Sequence, residues 1–196
     1  MTRKKKLPAR RAQDPGQISE AILDLVGNIP ASSERPSARP DEAARKLANA
    51  AAAKAALISG GLALPPGPLG WLTILPDLIA IWRLQSQMVV DIAALYGQTA
   101  TLTREHMLYC MFKHAAAQAV RDLVVRAGTR AVVRRMTVGA LQRAVERIGV
   151  KVTQRAVGGA LTRWIPVVGA LGVGAYAYYD TAQVARTATV LFKRQG

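Results

Sequence analysis

Residues 55–97 read AALISGGLALPPGPLGWLTILPDLIAIWRLQSQMVVDIAALYG. From Ala55 through Pro76 there is no charged side chain, a gap of 22 positions between Lys54 and Asp77. The gap holds Pro65, Pro66, Pro68 and Pro76 together with Gly60, Gly61, Gly67 and Gly70. Proline removes a backbone donor and clashes with the preceding turn, so no regular helix crosses this density of breakers. A straight membrane-crossing helix is disfavoured for the same reason. An ordinary loop is polar because its backbone needs water. An apolar, broken stretch is therefore either buried under other helices or dipped into a bilayer interface. The second half behaves differently. Residues 77–97 predict a helix started by Asp77 behind Pro76 and closed by Gly97 at the C′ position. Ile81, Met88, Ile92 and Leu95 share one face, and Arg83, Gln87 and Asp91 form a polar stripe.

The neighbours extend this helical pattern. Asp41-Glu42 opens an Ala-rich helix over 41–59, with two acids complementing the macrodipole and Gly60-Gly61 as its expected end. Its small side chains would let another helix come close. Residues 18–27 predict a short amphipathic helix on Ile18, Ile22, Leu25 and Val26, stopped by Gly27-Asn28. Residues 30–40 are a Pro/Ser linker. Downstream, Thr103-Arg104-Glu105 predicts a helix over 103–127 ended by Gly128, and 129–157 carries a basic helical pattern. Gly158-Gly159 repeats the double-glycine break, and a last helix runs on from Ile165-Pro166. No strand is predicted. A faint internal echo (helix, Gly-Gly, broken apolar piece, Pro, helix) suggests a duplication. The expected fold class is all-α: a compact helical bundle with Gly/Pro-broken apolar helical hairpins. Its expected divisions are a disordered basic arm over 1–17, the short helix and linker over 18–40, and the main helical domain over 41–194.

The chain has 196 residues and a formal net charge of +15, unevenly placed. Residues 1–46 hold ten basic and six acidic residues; 47–110 hold three of each; 111–196 hold fourteen basic and three acidic. A nearly neutral middle with basic flanks suits a protein that meets an anionic surface, either membrane or nucleic acid. The first cluster includes Lys4, Lys5 and Lys6. No apolar run follows it, so it does not read as a secretory signal. The second is a row at every fourth residue, Arg143, Arg147, Lys151 and Arg155, opposite Leu141, Val145, Ile148 and Val152. That row is open to three readings: a solvated face, a contact with anionic lipid, or a contact with a nucleic-acid backbone. The last lacks aromatic interleaving, because no Phe, Trp or Tyr occurs from 113 to 163. Trp71, Trp82 and Trp164 instead lie beside the broken apolar pieces, as in interfacial proteins. Gly149 weakens the row's helix by about 1 kcal/mol relative to Ala, so packing or a surface must support it.

The run from Ser59 to Gly97 resembles the central signature of the EcsC family: a Gly-rich break, a Pro/Gly apolar turn, a Pro-Asp-Leu helix start, and a helix with Gln and Met ending in Ile-Ala-x-x-Tyr-Gly. The matching positions are Gly60, Gly61, Gly67, Pro76, Asp77, Leu78, Gln85, Met88, Ile92, Ala93, Tyr96 and Gly97, with Asp91 in the same helix. Ile165-Pro166-Val167-Val168-Gly169-Ala170, then a small-residue helix and Arg186-Thr187-Ala188, resembles the family's closing segment. The resemblance covers roughly 45–110 and 155–192. It implies an all-helical bacterial domain linked with membranes, in some cases encoded beside a membrane transporter. It implies no reaction and carries over no catalytic residue.

Chemical constellations are sparse. His106, Cys110 and His114 stand at i, i+4, i+8, predicting one helical stripe. Three positions over ~12 Å of helix cannot reach one metal ion together, so packing is the expected role and no metal site is predicted. Gly169, Gly172 and Gly174 lack a preceding strand and the order of a dinucleotide fingerprint; close helix contact is the expected role, and no cofactor is predicted. With one Cys, no internal disulfide forms. Asp77, Asp91 and Asp180 sit in or beside apolar helices and need caps or partners. Arg83 is the natural candidate for one pairing, and a proton relay within a membrane-embedded bundle is the sharper alternative. The resulting expectation is a non-enzymatic accessory or binding module at the cytoplasmic face of the membrane. It would be peripheral and held to anionic lipid, with a membrane protein or transporter as a further partner. The alternative is a soluble nucleic-acid-binding basic helical protein.

Overall fold

A computed structural model describes residues 15–62, 74–127, 130–159 and 166–195. The fold is all-α. The long helices are α1 (Pro15–Gly27), α2 (Pro40–Leu62), α3 (Ile74–Leu95), α4 (Arg104–Phe112), α6 (Val138–Gly159) and α7 (Pro166–Lys193), with a single turn α5 (Ala117–Val120) between α4 and α6. The basic arm before residue 15 and the most heavily broken apolar stretch, 63–73, lie outside the described residues.

Several elements differ from the sequence reading: α3 begins at Ile74, with Pro76 and Asp77 inside its first turn in place of an Asp77 cap, and Gly158-Gly159 stays within the last turn of α6. Helix α1 starts at Pro15, three residues early, because proline's fixed φ suits the first turn of a helix. Gly60 and Gly61 stay helical, so α2 reaches Leu62; the packing of its Ala-rich face outweighs the glycine penalty. The largest difference lies in 103–137. The helix ends at Phe112 instead of continuing to 127, and a two-stranded antiparallel hairpin follows, β1 (Val124–Ala127) and β2 (Arg130–Val133). Val124 pairs with Val133 and Val125 with Val132. Paired β-branched residues on either side of Gly128-Thr129 are a hairpin pattern, and their preference for a pleated surface overrides the weak helical spacing.

Helix α4 is the centre of the core, with eight of its nine residues buried, among them Met107, Leu108, Met111 and Phe112. Each large side chain buried this way contributes about 1.5–3 kcal/mol. Trp82 meets Phe112 edge-on at 5.4 Å between centroids. Helix α1 lies along α6, where Gly149 allows a close approach: a Cβ there would stand 2.3 Å from Ser19 Oγ.

Helices α2, α3 and α7 form a layer with a common axis. Tyr96 donates to Asp41, and Ala55 packs with Ile81, so α2 and α3 are antiparallel. Lys193 donates to Asp41, while a Cβ on Gly174 would lie 3.1 Å from the Ala56 carbonyl oxygen, so α2 and α7 are antiparallel too. Ile81 packs with Ala177 and Gln85 bonds Asp180, which makes α3 and α7 parallel. The end of α2 and the starts of α3 and α7 therefore share one end of the layer. The small residues Ala55, Ala56 and Gly174 meet there, the close contact anticipated for the Ala-rich helix and the glycine-rich one. The 30–40 segment is strapped along α3: Gln87 donates to the Ala31 carbonyl oxygen, Ser32 to Asp91, and the Ser37 N–H to the Leu95 carbonyl oxygen.

Candidate functional site

The basic row sits on α6. Arg143, Arg147 and Lys151 are exposed, and Arg147 pairs with Asp122 at 3.2 Å. Arg155 lies on the same helix, with its side chain outside the described set, as are Lys4, Lys5 and Lys6. Leu141, Val145 and Ile148 on the opposite face are buried in the core. The apolar stripe of α6 is thus already covered by protein, and an anionic partner approaching the row meets cations.

A second surface lies on the three-helix layer. Leu57 on α2 is 78% exposed, and Tyr176 and Tyr179 on α7 are 58% and 60% exposed. Tyr178 is also exposed, as are Lys54 on α2 and Arg83 on α3. The stretch Leu78–Leu95 of α3 has a mean hydropathy of 1.3 and is long enough to cross a membrane, but 61% of it is buried in the protein.

Behind this surface is a polar cluster. Gln85 is 1% exposed and Thr181 0%. Gln85 Nε2 donates to Asp180 Oδ2 at 2.8 Å and to Thr181 Oγ1 at 3.2 Å, and His114 Nε2 lies 2.6 Å from Asp180 Oδ1. Asp180 is thereby turned into the bundle and held by two neighbours. The buried Nδ1 of His114 has no hydrogen-bond partner. The dyad orients the imidazole, but no hydroxyl or thiol nucleophile is seen beside that nitrogen among the described residues.

Asp91 is met by Ser32 at 2.6 Å and Gln87 at 2.9 Å. Arg83 makes no ion pair with it, because Arg83 points to solvent on the outer side of α3. At the other end of the layer, the Lys193 ammonium and then the Tyr96 hydroxyl hold the Asp41 carboxyl below its ordinary range. Burial, and after it the carboxylate, pushes the Tyr96 hydroxyl well up.

The stripe predicted through His106, Cys110 and His114 does not form, because α4 stops at Phe112 and the chain turns at Lys113–Ala116. His106 instead caps the start of α4. Its Nδ1 accepts the Thr103 N–H at 3.1 Å, and Thr103 Oγ1 accepts the His106 N–H at 3.3 Å. On the other side of the ring, His106 Nε2 lies 3.1 Å from the side-chain amide nitrogen of Gln195. Burial, its largest influence, lowers the pKa of His106. Burial also pushes the neighbouring Glu105 carboxyl up, but the N–H groups of Met136 and Glu105 and the Thr103 hydroxyl outweigh it and leave the carboxyl lowered. Cys110 is fully buried, and that burial raises its thiol far above the usual range. No group of three or more His, Cys, Asp or Glu residues suited to a metal occurs among the described residues.

The positions that carry the resemblance lie at helix ends and helix contacts where they are described. Gly97 has φ +69°, the left-handed conformation its C′ role requires. Tyr96 ties α3 to α2, Pro76 is exposed in the first turn of α3, and Pro166 and Gly169 lie in the first turn of α7. Asp77 lies in the first turn of α3, its side chain outside the described set. Sequence reading did not single out Thr181 or Gln195, and took Glu105 only as part of a helix start. Only Glu105 carried a signal, as an acid in the first turn of a helix.

No family model, no curated protein and no solved structure matches this chain.

Proposed function

We propose that this protein is a peripheral membrane module without an enzymatic role, acting at an anionic membrane surface as an accessory or binding domain of EcsC type. One observation carries the reading. The exposed side chains Leu57 of α2 and Tyr178 and Tyr179 of α7 stand at neighbouring heights, at the edge of the part of the layer where charge runs out of the sequence. Soluble monomers rarely leave such side chains together without a partner. The net charge of +15 and the exposed α6 row add long-range attraction to anionic lipid. The cytoplasmic leaflet is the anionic surface such charge fits, and a membrane protein or transporter embedded there is a further partner of the same reading.

The test is vesicle flotation of the full chain. Anionic vesicles should capture it at ~0.1 M salt and keep a measurable fraction at ~1 M, because buried apolar contact is not screened. Replacing Arg143, Arg147 and Lys151 together by Gln should weaken capture about 100-fold at low salt, since each cation contributes about 1 kcal/mol. Tight binding of DNA or RNA with no vesicle capture would replace this reading with the nucleic-acid one.

A further inference from the structure

Resting on the membrane reading, we propose that the α2–α3–α7 tip enters one leaflet of the bilayer and stops there, with Lys54, Arg83, Tyr178 and Tyr179 at head-group level. The argument is one of register. The Ala55–Ile81 contact and the Tyr96–Asp41 bond place Arg83 of α3 beside Lys54 of α2. The Ile81–Ala177 and Gln85–Thr181 contacts place Arg83 level with Tyr179 of α7. The approach of Gly174 to Ala56 puts Lys54 opposite 176–178 of α7. Three separate helices thus bring two exposed cations and the exposed tyrosines to one height.

Past that height the character of the layer changes. Residues 55–62, 74–82 and 166–179 contain a single charged residue, Asp77. It lies in the first turn of α3, where the helix dipole favours a carboxylate. Leu57, three-quarters exposed, lies on this apolar side. Asp180, at belt height, is turned inward onto His114 and Gln85 and does not oppose the cations. Tyrosines and long cations with apolar stems are the side chains that settle at a membrane–water boundary. At 1.5 Å per residue, the helices run roughly 12 Å (α2), 13 Å (α3) and 20 Å (α7) beyond the belt. The hydrocarbon core is about 30 Å thick. The described helix ends therefore lie at about the depth of one leaflet.

The experiment uses an environment-sensitive fluorophore on single introduced cysteines, L57C and V190C, in the full chain. Cys110 is 0% exposed and its thiol is suppressed, so it does not compete for the label. Val190 is exposed on α7 about 16 Å to the aqueous side of Tyr179. With anionic vesicles, the L57C label should brighten several-fold and be quenched by nitroxide lipids of the near leaflet alone, while the V190C label stays unchanged. Lys54→Gln and Arg83→Gln should each weaken capture about five-fold, and about 25-fold together. If the protein floats but both labels behave alike, the tip is not the inserted part, although the membrane reading survives. Quenching from the far leaflet would mean a span and overturn the depth. Brightening of L57C with protein concentration in the absence of vesicles would make the tip a contact between copies. Failure to float overturns the membrane reading and this proposal with it.

Discussion

Gly149→Ala separates a glycine required by packing from one that merely weakens a solvated helix. On an open helix face the substitution stabilises by about 1 kcal/mol, because alanine has the better helical propensity. In this fold the new Cβ would lie 2.3 Å from Ser19 Oγ and 3.0 Å from the Pro15 carbonyl oxygen. The hydroxyl can rotate away, but it donates to that same carbonyl at 2.7 Å, and the lost bond costs about 0.5–1.5 kcal/mol. The carbonyl belongs to the backbone of α1, so relieving the second contact means moving the helix, an overpacking cost of about 1–3 kcal/mol. Set against the propensity gain, the net loss is about 1–3 kcal/mol. Equilibrium urea unfolding should show a lower midpoint with an unchanged slope, and Tm should fall by roughly 2–4 °C per kcal/mol for a chain of this size. In a Ser19→Ala background the hydroxyl is gone and the cost of G149A should shrink by about 1 kcal/mol, a coupling that a double-mutant cycle isolates. A G149A protein as stable as the parent, or more stable, would refute the close α1–α6 contact.

Three further outcomes follow from the buried polar groups. His106 has its pKa lowered in the fold, so its contribution to stability is complete above the ordinary value of 6.5 and is lost as pH falls below it; the urea midpoint should drop as pH falls below about 6.5, and H106N should flatten that segment. The Glu105 carboxyl, also lowered, acts in a separate window below its ordinary 4.5, so the two are distinguished by where the curve bends. Asp180→Asn removes the charged acceptor of His114 and Gln85 and should cost about 1.5–3 kcal/mol of unfolding free energy. Cys110 should resist a thiol reagent in the native protein and react at once in denaturant; fast labelling of the native state would contradict the buried α4.

Most of the helices were legible because their signal is local. The 3.6-residue spacing of Ile18, Ile22 and Leu25, or of Leu141, Val145 and Ile148, records which face each helix buries, and those residues are buried. The stretch after Phe112 misled because its spacing supports two structures. Val124, Val125, Val132 and Val133 fit a helix face weakly and a hairpin well, and the Gly128-Thr129 dipeptide favours the second. The end of α4 was illegible for another reason: His114 leaves the helical path toward Asp180, a partner 66 positions away.

The same distinction applies to the candidate surface. The α6 row could be read directly because its members share one helix. The belt of Lys54, Arg83 and Tyr179 could not, because their common height depends on how far each helix slides along the next. That sliding is nonetheless set by composition. Glycine at 174 lets α7 come within 3.1 Å of the Ala56 carbonyl oxygen, measured from a would-be Cβ, and alanines at 55 and 177 let Ile81 fit between the helices. A bulkier residue at 174 would push α7 off the Ala56 backbone and leave Tyr179 without a fixed height against Lys54 and Arg83. The small residues of α2 and α7 thus determine where the charged and aromatic residues come to rest, and the geometry of the proposed lipid contact depends on close packing within the protein.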